Sequence, residues 1–176
     1  MTTSAQGEGT VSRLQLAIEQ IAFARNYTLG ILEHTPTTDW FRQPPGGVTH
    51  IAWQVGHLAF AQYRLAVWRI RGTQPQDEAL FPQEFIQLFG ANSTPNPDPA
   101  AYPALADVRA VFDRVHAHVL RELAGLNEAE LDQPVLHFHP LAKTKLQALL
   151  WCAHHEMLHA GQIGLLRRYL GHAPMR

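Results

Sequence analysis

The sequence is short of several features, beginning with cysteine: Cys152 is the only one among its 176 residues. A single cysteine cannot form an internal disulfide, so we expect a reducing compartment. No run of about 18 apolar residues is present that would span a membrane. The small, polar residues 1–10 also lack the apolar core of a signal peptide. These absences predict a cytoplasmic protein with no membrane partner.

The fraction of charged residues is also low. Only 16% of the residues are charged, the net charge is −1, and no basic run occurs, so the sequence shows no electrostatic sign of nucleic-acid binding. Hydrophobic residues make up 46% of the chain, which is typical of a folded globular protein. We expect one domain, residues 1–176, with a sizeable core.

Strand patterns are missing too, and apolar residues instead recur at helical spacing in four long stretches. The predicted helices are residues 11–34, 50–71, 104–123 and 145–170. Ser12 and Thr144 each precede a glutamine by three residues, the spacing of a capping box, and Thr49 is the expected N-cap of the second helix. Proline-rich residues 73–103 form the longest connection, with room for a short helix near 82–88. The pattern predicts an all-α four-helix bundle with a long crossover between helices 2 and 3.

Two of the 11 histidines, His155 and His159, lie four residues apart in the fourth predicted helix. On a helix they share one face, with Cβ atoms about 5–6 Å apart, so both imidazoles can bind one divalent ion. With so many histidines, about 0.7 such pairs arise by chance, so a metal site needs a third donor. His57 is the only histidine in the interior of another apolar helix. Its position alone makes it either that donor or a histidine of the core.

Two catalytic motifs match part of this stretch, and we discount both. Residues 155–159 read H-E-x-x-H, as in zinc proteases, but Gln162 and Leu165 stand where the extended motif has glycine and histidine, and no carboxylate follows. Glu156 and His159 also match half of a di-iron carboxylate site. Such a site needs a second copy and further glutamates, whereas predicted helix 2 has no acidic residue.

Five further histidines have other interpretations. His50, near the start of predicted helix 2, suits a helix cap. His116 and His118 are two apart on predicted helix 3 and cannot share a face, so we expect both at the surface. His137 and His139 lie in a connection and are expected to be loop residues, where they could line the mouth of a site.

Three residues beside the histidine pair have no role fixed by the sequence. Cys152 lies one turn before His155, and we expect a small, buried apolar residue there. Gln162 lies one turn beyond His159, where it could orient a ligand or cap a neighbouring helix. Glu156 stands outside the histidine set.

Two motifs together resemble the DinB-like (DinB/YfiT) family of four-helix metalloenzymes. They are Trp53-x-x-x-His57-Leu58 and His155-x-x-x-His159-x-Gly161-Gln162-Ile163. The tail from Leu166 to Gly171 is similar as well, so the resemblance covers nearly the whole chain. It implies a four-helix bundle with a crossover between helices 2 and 3. It also implies that His57, His155 and His159 bind a divalent metal ion, usually nickel or zinc; iron also suits imidazole ligands.

The resemblance also suggests a reaction. Characterised relatives include thiol-S-transferases and a thiol-dependent isomerase, so it implies a metal-dependent transferase that activates a low-molecular-weight thiol against a small electrophile. Three protein ligands leave positions open for substrate or water, and the alternative is a metal-dependent hydrolase that activates water. A metal-binding stress-response module without turnover and a bundle with structural histidines also stay open. The expected partner is a small-molecule substrate, and long apolar helices in so small a bundle would suit a homodimer.

Overall fold

The computed structural model describes residues 12–175, and over this range the fold is all-α, as predicted. Within these residues, β-structure is limited to an isolated bridge between Pro134 and Thr144. None of the helices in the described range combines the length and the hydropathy that a membrane crossing requires.

Four long helical segments make up most of the fold, and shorter helices lie between the second and the third. The helices are α1 (Arg13–Glu33), α2 (Ile51–Tyr63), α3 (Arg69–Arg71), α4 (Asp77–Leu80), α5 (Gln83–Phe89), α6 (Leu105–Ala124) and α7 (Lys145–Tyr169). A π-helical segment, Arg64–Trp68, joins α2 to α3, so the helical backbone is continuous from residue 51 to residue 71. Short 3-10 turns lie at Thr37–Asp39, Pro99–Ala101 and Glu128–Asp132. The second predicted helix therefore has nearly the right extent, although a π-helical turn interrupts it.

The predicted capping box at the start of α7 is confirmed. The Thr144 hydroxyl accepts a hydrogen bond from the Gln147 N–H, and the Gln147 side chain accepts one from the Thr144 N–H, both at 3.3 Å. At α1 only half of the predicted box forms. Ser12 accepts a 3.0 Å bond from the Gln15 N–H, but the Gln15 side chain donates to Glu19 instead of returning to Ser12.

The N-cap of α2 is His50, and the prediction of Thr49 for this position is wrong. Nδ1 of His50 accepts a 3.1 Å hydrogen bond from the backbone N–H of Trp53, and the His50 backbone is extended. The Thr49 hydroxyl accepts a 3.1 Å bond from the side chain of Gln54. An imidazole can replace a hydroxyl here because its unprotonated nitrogen accepts from the same free N–H group of the first turn.

The long helices enclose one cluster of buried hydrophobic side chains, to which Leu58, Phe112 and Leu149 belong. Helix α1 packs along α7, and α2 packs along α6 and also against α7. The crossover is the connection between α3 and α6, and its helix α5 packs against α2. Gly56 of α2 lies so close to the Phe89 ring that a Cβ added at Gly56 would overlap that ring. This glycine therefore allows the crossover to pack directly on α2.

A buried polar network ties the four long helical segments together. Arg25 of α1 is 1% exposed and Glu156 of α7 is 2% exposed, and their side chains meet at 2.7 Å. Arg25 also donates to the Gln62 side chain of α2 and to the Phe112 carbonyl of α6, both at 2.8 Å. Gln62 in turn lies 3.0 Å from Nδ1 of His116. The expectation that His116 is a surface residue is therefore wrong, because it extends the hydrogen bonding of a buried ion pair.

Candidate metal centre

Three histidines meet where α2 faces α7. His57 lies on α2, and His155 and His159 lie one turn apart on α7. Each offers one ring nitrogen, and these three atoms lie within 4.8 Å of one another. The ring centroids are between 4.5 and 5.4 Å apart. The structure thus brings together the three residues for which the sequence predicts metal binding.

The crossover fixes the orientation of His57. Its Nδ1 lies 2.7 Å from the backbone carbonyl of Phe89, and because a carbonyl only accepts, Nδ1 carries the proton and Nε2 is the free nitrogen. Trp53, one turn earlier on α2, stacks on the imidazole with ring centroids 4.7 Å apart. The Trp53 indole N–H is itself anchored, 3.1 Å from the Leu88 carbonyl and 3.0 Å from Oγ of Ser93.

Gln54 orients His159 in the same way. The side-chain oxygen of Gln54, a residue only 2% exposed, accepts a hydrogen bond from Nδ1 of His159. This leaves Nε2 of His159 as the free nitrogen. Gln162, which the sequence offered as an orienting residue, is exposed. Gln54 was not among the residues predicted for the site, although a glutamine within a nearly all-apolar helix is a signal, since a buried amide needs a partner.

Burial keeps the three imidazoles of the cluster uncharged. It lowers the pKa of His57 below its ordinary value, although the hydrogen bond to Phe89 acts in the opposite direction. Burial, together with the neighbouring imidazoles, lowers the pKa of His155 to about 4 and that of His159 to about 3. At pH 7 all three residues therefore offer the unprotonated nitrogen that a metal ion binds.

Two cavities are lined by members of the cluster. The larger, of about 560 Å³, has His159 in its wall, and most of its other lining groups are apolar. These include Val48, Trp53, Leu165 and Tyr169. The smaller, of about 220 Å³, has both His57 and His155 in its wall beside two arginines, Arg64 and Arg69. The cluster thus borders two cavities, one with a mostly apolar wall and one with two arginines in its wall.

His139, His137 and Cys152, for which the sequence left a role near the cluster open, lie in three different environments. His139 lines the smaller cavity, as the sequence analysis allowed. His137 instead stacks on Trp68, with ring centroids 3.5 Å apart. Cys152 is 3% exposed, and burial raises the pKa of its thiol. It is therefore the small buried residue that we expected and not a donor of the cluster.

The sequence match to a known family is extensive. Residues 20–163, about four fifths of the chain, match the model of the DinB superfamily. The chain belongs to the DinB superfamily. All three histidines of the cluster lie inside the matched range, and the resemblance drawn from the two motifs is confirmed. No curated protein matches the chain.

In this DinB-superfamily chain, the donor set of the cluster suits a divalent metal ion. The group that the described residues form consists of His57, His155 and His159 alone, without a carboxylate or thiol. Three neutral imidazoles suit zinc, nickel and iron. Nδ1 of His57 and Nδ1 of His159 each donate a hydrogen bond to a protein oxygen. Histidines that bind a metal through one ring nitrogen usually make such a bond with the other.

Proposed function

We propose that this protein is a divalent-metal-dependent enzyme that activates a small thiol for transfer to an electrophile. The observation that carries the proposal is the cluster of three neutral imidazoles, two of them oriented by hydrogen bonds, that two cavities reach. Nickel or zinc is the proposed ion, and iron is a further candidate because imidazole suits all three. The family resemblance adds weight, since thiol transfer is among the reactions of characterised relatives.

The chemistry that a divalent ion would supply here is Lewis acidity. Three uncharged ligands would leave the whole charge of a bound ion available, so such an ion would lower the pKa of a thiol or water that reached it. In the proposed reaction the thiol releases its proton to solvent and its sulfur forms a bond to the electrophilic carbon. The leaving group departs with the electron pair of the bond that breaks.

We infer that the nucleophile comes from the substrate, because the described residues offer no suitable group at the cluster. Cys152 is the only cysteine, and it is buried with a raised pKa. Glu156 is not placed to act as a general base, because its two carboxylate oxygens lie 2.7 and 3.3 Å from Arg25 in the core. What the chain contributes is the orientation of the imidazoles and the two cavities that admit reactants.

Metal content tests the proposed ligand set. Protein purified without a His-tag should bind a divalent ion, and His57→Ala, His155→Ala and His159→Ala should each lower the metal stoichiometry measured by elemental analysis. His154→Ala is the matched control, because His154 is exposed and adjacent to the cluster in sequence. Full metal content in any two of the three cluster variants would overturn the ligand set.

Cobalt substitution tests the thiol chemistry. Adding a small thiol to the cobalt-loaded protein should produce a new sulfur-to-metal charge-transfer band near neutral pH, and His159→Ala should abolish it. If no thiol changes the cobalt spectrum while water still exchanges at the ion, thiol activation is wrong. Hydrolysis through an activated water would then be the better proposal for the same site.

A further inference from the structure

The smaller cavity beside His57 and His155 carries a concentration of positive charge. Arg64 and Arg69 both line it, and none of the described residues that line it is acidic. The guanidinium carbons of Arg64 and Arg69 lie 3.2 and 5.2 Å from the Trp68 ring centroid, so both groups gather around one indole. Burial lowers the pKa of each arginine, and the charge of Arg64 adds to the effect at Arg69.

The π-helical segment is what brings these two arginines together. Residues five apart on a regular α-helix project about 140° from each other. In a π-helix the hydrogen bond joins residues five apart, which brings their side chains to the same side of the helix. The Arg69 backbone N–H makes such a bond to the Arg64 carbonyl. The irregular turn therefore directs both side chains toward the cavity, and π-helical turns of this kind recur at functional sites.

Neither arginine has a carboxylate partner within the part of the chain that the structure describes. Arg69 donates to the backbone carbonyls of Arg64 and Phe138, both at 3.2 Å, and its buried Nε has no hydrogen-bond acceptor among the described residues. Asp77 and Glu78 line a neighbouring cavity that Arg64 also borders. The Asp77 carboxylate binds Arg71 at 2.8 Å, and the Glu78 carboxylate accepts a 3.1 Å bond from the Gln83 backbone N–H. Half-buried cations without a counter-charge are costly, and a bound anion would offset that cost.

We propose that Arg64 and Arg69 form an anion-binding subsite that selects a thiol substrate bearing a carboxylate or another oxyanion. This inference rests on the proposed function, since it identifies the substrate class of the same site. The cavity of about 220 Å³ corresponds to about seven water volumes, which suits a compact thiol acid. The same cavity is lined by Arg64, Arg69, His57 and His155, so a thiol whose anionic group binds the two guanidinium groups lies in the cavity that the cluster borders.

A matched pair of thiols tests the subsite: 3-mercaptopropionate and its neutral amide, 3-mercaptopropionamide. Each is titrated into the cobalt-loaded protein, and the charge-transfer band gives its dissociation constant. The wild type should bind the carboxylate about tenfold or more tightly than the amide, as expected for charge-assisted hydrogen bonds. Arg64→Gln should remove most of that preference, and Arg64→Lys should keep part of it. Arg121→Gln, which removes an exposed arginine of α6 outside the cavity, should keep all of it.

The outcomes separate the subsite from the reaction. Equal binding of the two thiols by the wild type, or an unchanged preference in Arg64→Gln with full cobalt content, would overturn the anion subsite and leave thiol activation standing. A spectrum that neither thiol changes would overturn thiol activation. In that case calorimetry with inorganic phosphate would test the anion subsite. The subsite requires the wild type to bind phosphate more tightly than Arg64→Gln does, and equal binding would overturn it.

Discussion

The backbone carbonyl of Phe89 accepts a 2.7 Å hydrogen bond from Nδ1 of His57. The two residues can approach this closely because Gly56 has no side chain to collide with the Phe89 ring. Phe89 ends α5, in the crossover, and its ring is fully buried against Gly56, the residue that precedes His57. The same packing that seats the crossover therefore sets which nitrogen of His57 faces the cluster. The affinity of the cluster for a metal ion should therefore depend on Gly56, which is not one of the proposed ligands.

Gly56→Ala tests that dependence. The new Cβ would overlap the buried Phe89 ring, so the ring and the adjoining carbonyl must move, and overpacking of this kind costs about 1–3 kcal/mol of stability. Loss of an outer-shell partner typically lowers metal affinity about tenfold to a hundredfold. Competition with a chelator measures the affinity. Gly30→Ala on α1 is the control, because a Cβ there meets open space. Wild-type affinity in folded Gly56→Ala would show that the Phe89 contact does not orient the ligand.

Gln54→Leu should weaken metal binding by a similar factor. The substitution keeps the approximate volume but removes the acceptor for Nδ1 of His159, so the ring loses its fixed orientation and tautomer. Gln162→Leu supplies the comparison: it removes an exposed glutamine from the same neighbourhood and should leave affinity unchanged. A larger effect at Gln162 than at Gln54 would reverse the assignment of the orienting residue.

The predictable parts of this site are those that local periodicity determines. His155 and His159 share a face because helical spacing requires it. The three-residue spacing predicted two capping boxes, of which the one at Thr144 forms in full and the one at Ser12 in half. The fold class followed from the apolar pattern of the long helices. His57 required the family motif, since its position alone allowed a core role.

The missed parts depend on contacts between residues that are far apart in sequence. Phe89 reaches the cluster through the path of the crossover, which no spacing rule predicts. The prediction of a surface position for His116 was wrong because its environment depends on Arg25 and Gln62, residues of two other helices. The π-helical turn that aligns Arg64 with Arg69 also has no signal in the apolar pattern. Tertiary packing decides each of these features.

Arg25→Met should strongly destabilise the protein. It leaves the Glu156 carboxylate buried without its 2.7 Å partner, and breaking a buried pair on one side typically costs about 3–5 kcal/mol. Replacing both residues, as in Arg25→Met with Glu156→Leu, should recover much of that loss because no charge is stranded. Urea unfolding of metal-free protein measures the difference. Additive losses in the double variant would show that the pair is not coupled.

Cys152 should be unreactive in the folded protein. Its side chain is 3% exposed and burial raises the pKa of its thiol, and it is the thiolate that reacts with alkylating reagents. We expect no modification by iodoacetamide in native buffer and one modification per chain in urea, measured by mass spectrometry. Cys152→Ala should retain the thiol-dependent cobalt band. Rapid native alkylation that abolishes the band would instead make this cysteine part of the chemistry.

The last prediction concerns acid stability and His116. Burial, followed by the nearby charge of Arg25, lowers the pKa of His116 to about 3 in the folded chain, from an ordinary 6.5. Between these values the unfolded chain binds a proton at this position and the folded chain does not. The free energy of unfolding should therefore fall as pH drops below about 6.5.

His116→Gln removes this proton uptake and leaves a side chain that can still bond Gln62. Urea unfolding from pH 8 to pH 4.5, with a chelator present so that both proteins are metal-free, gives the two stability profiles. At pH 8 the difference between the proteins reports packing alone, because His116 is uncharged in both states. The variant should lose less stability than the wild type as the pH falls. Parallel profiles would mean that His116 takes up its proton as readily in the folded chain as in the unfolded one.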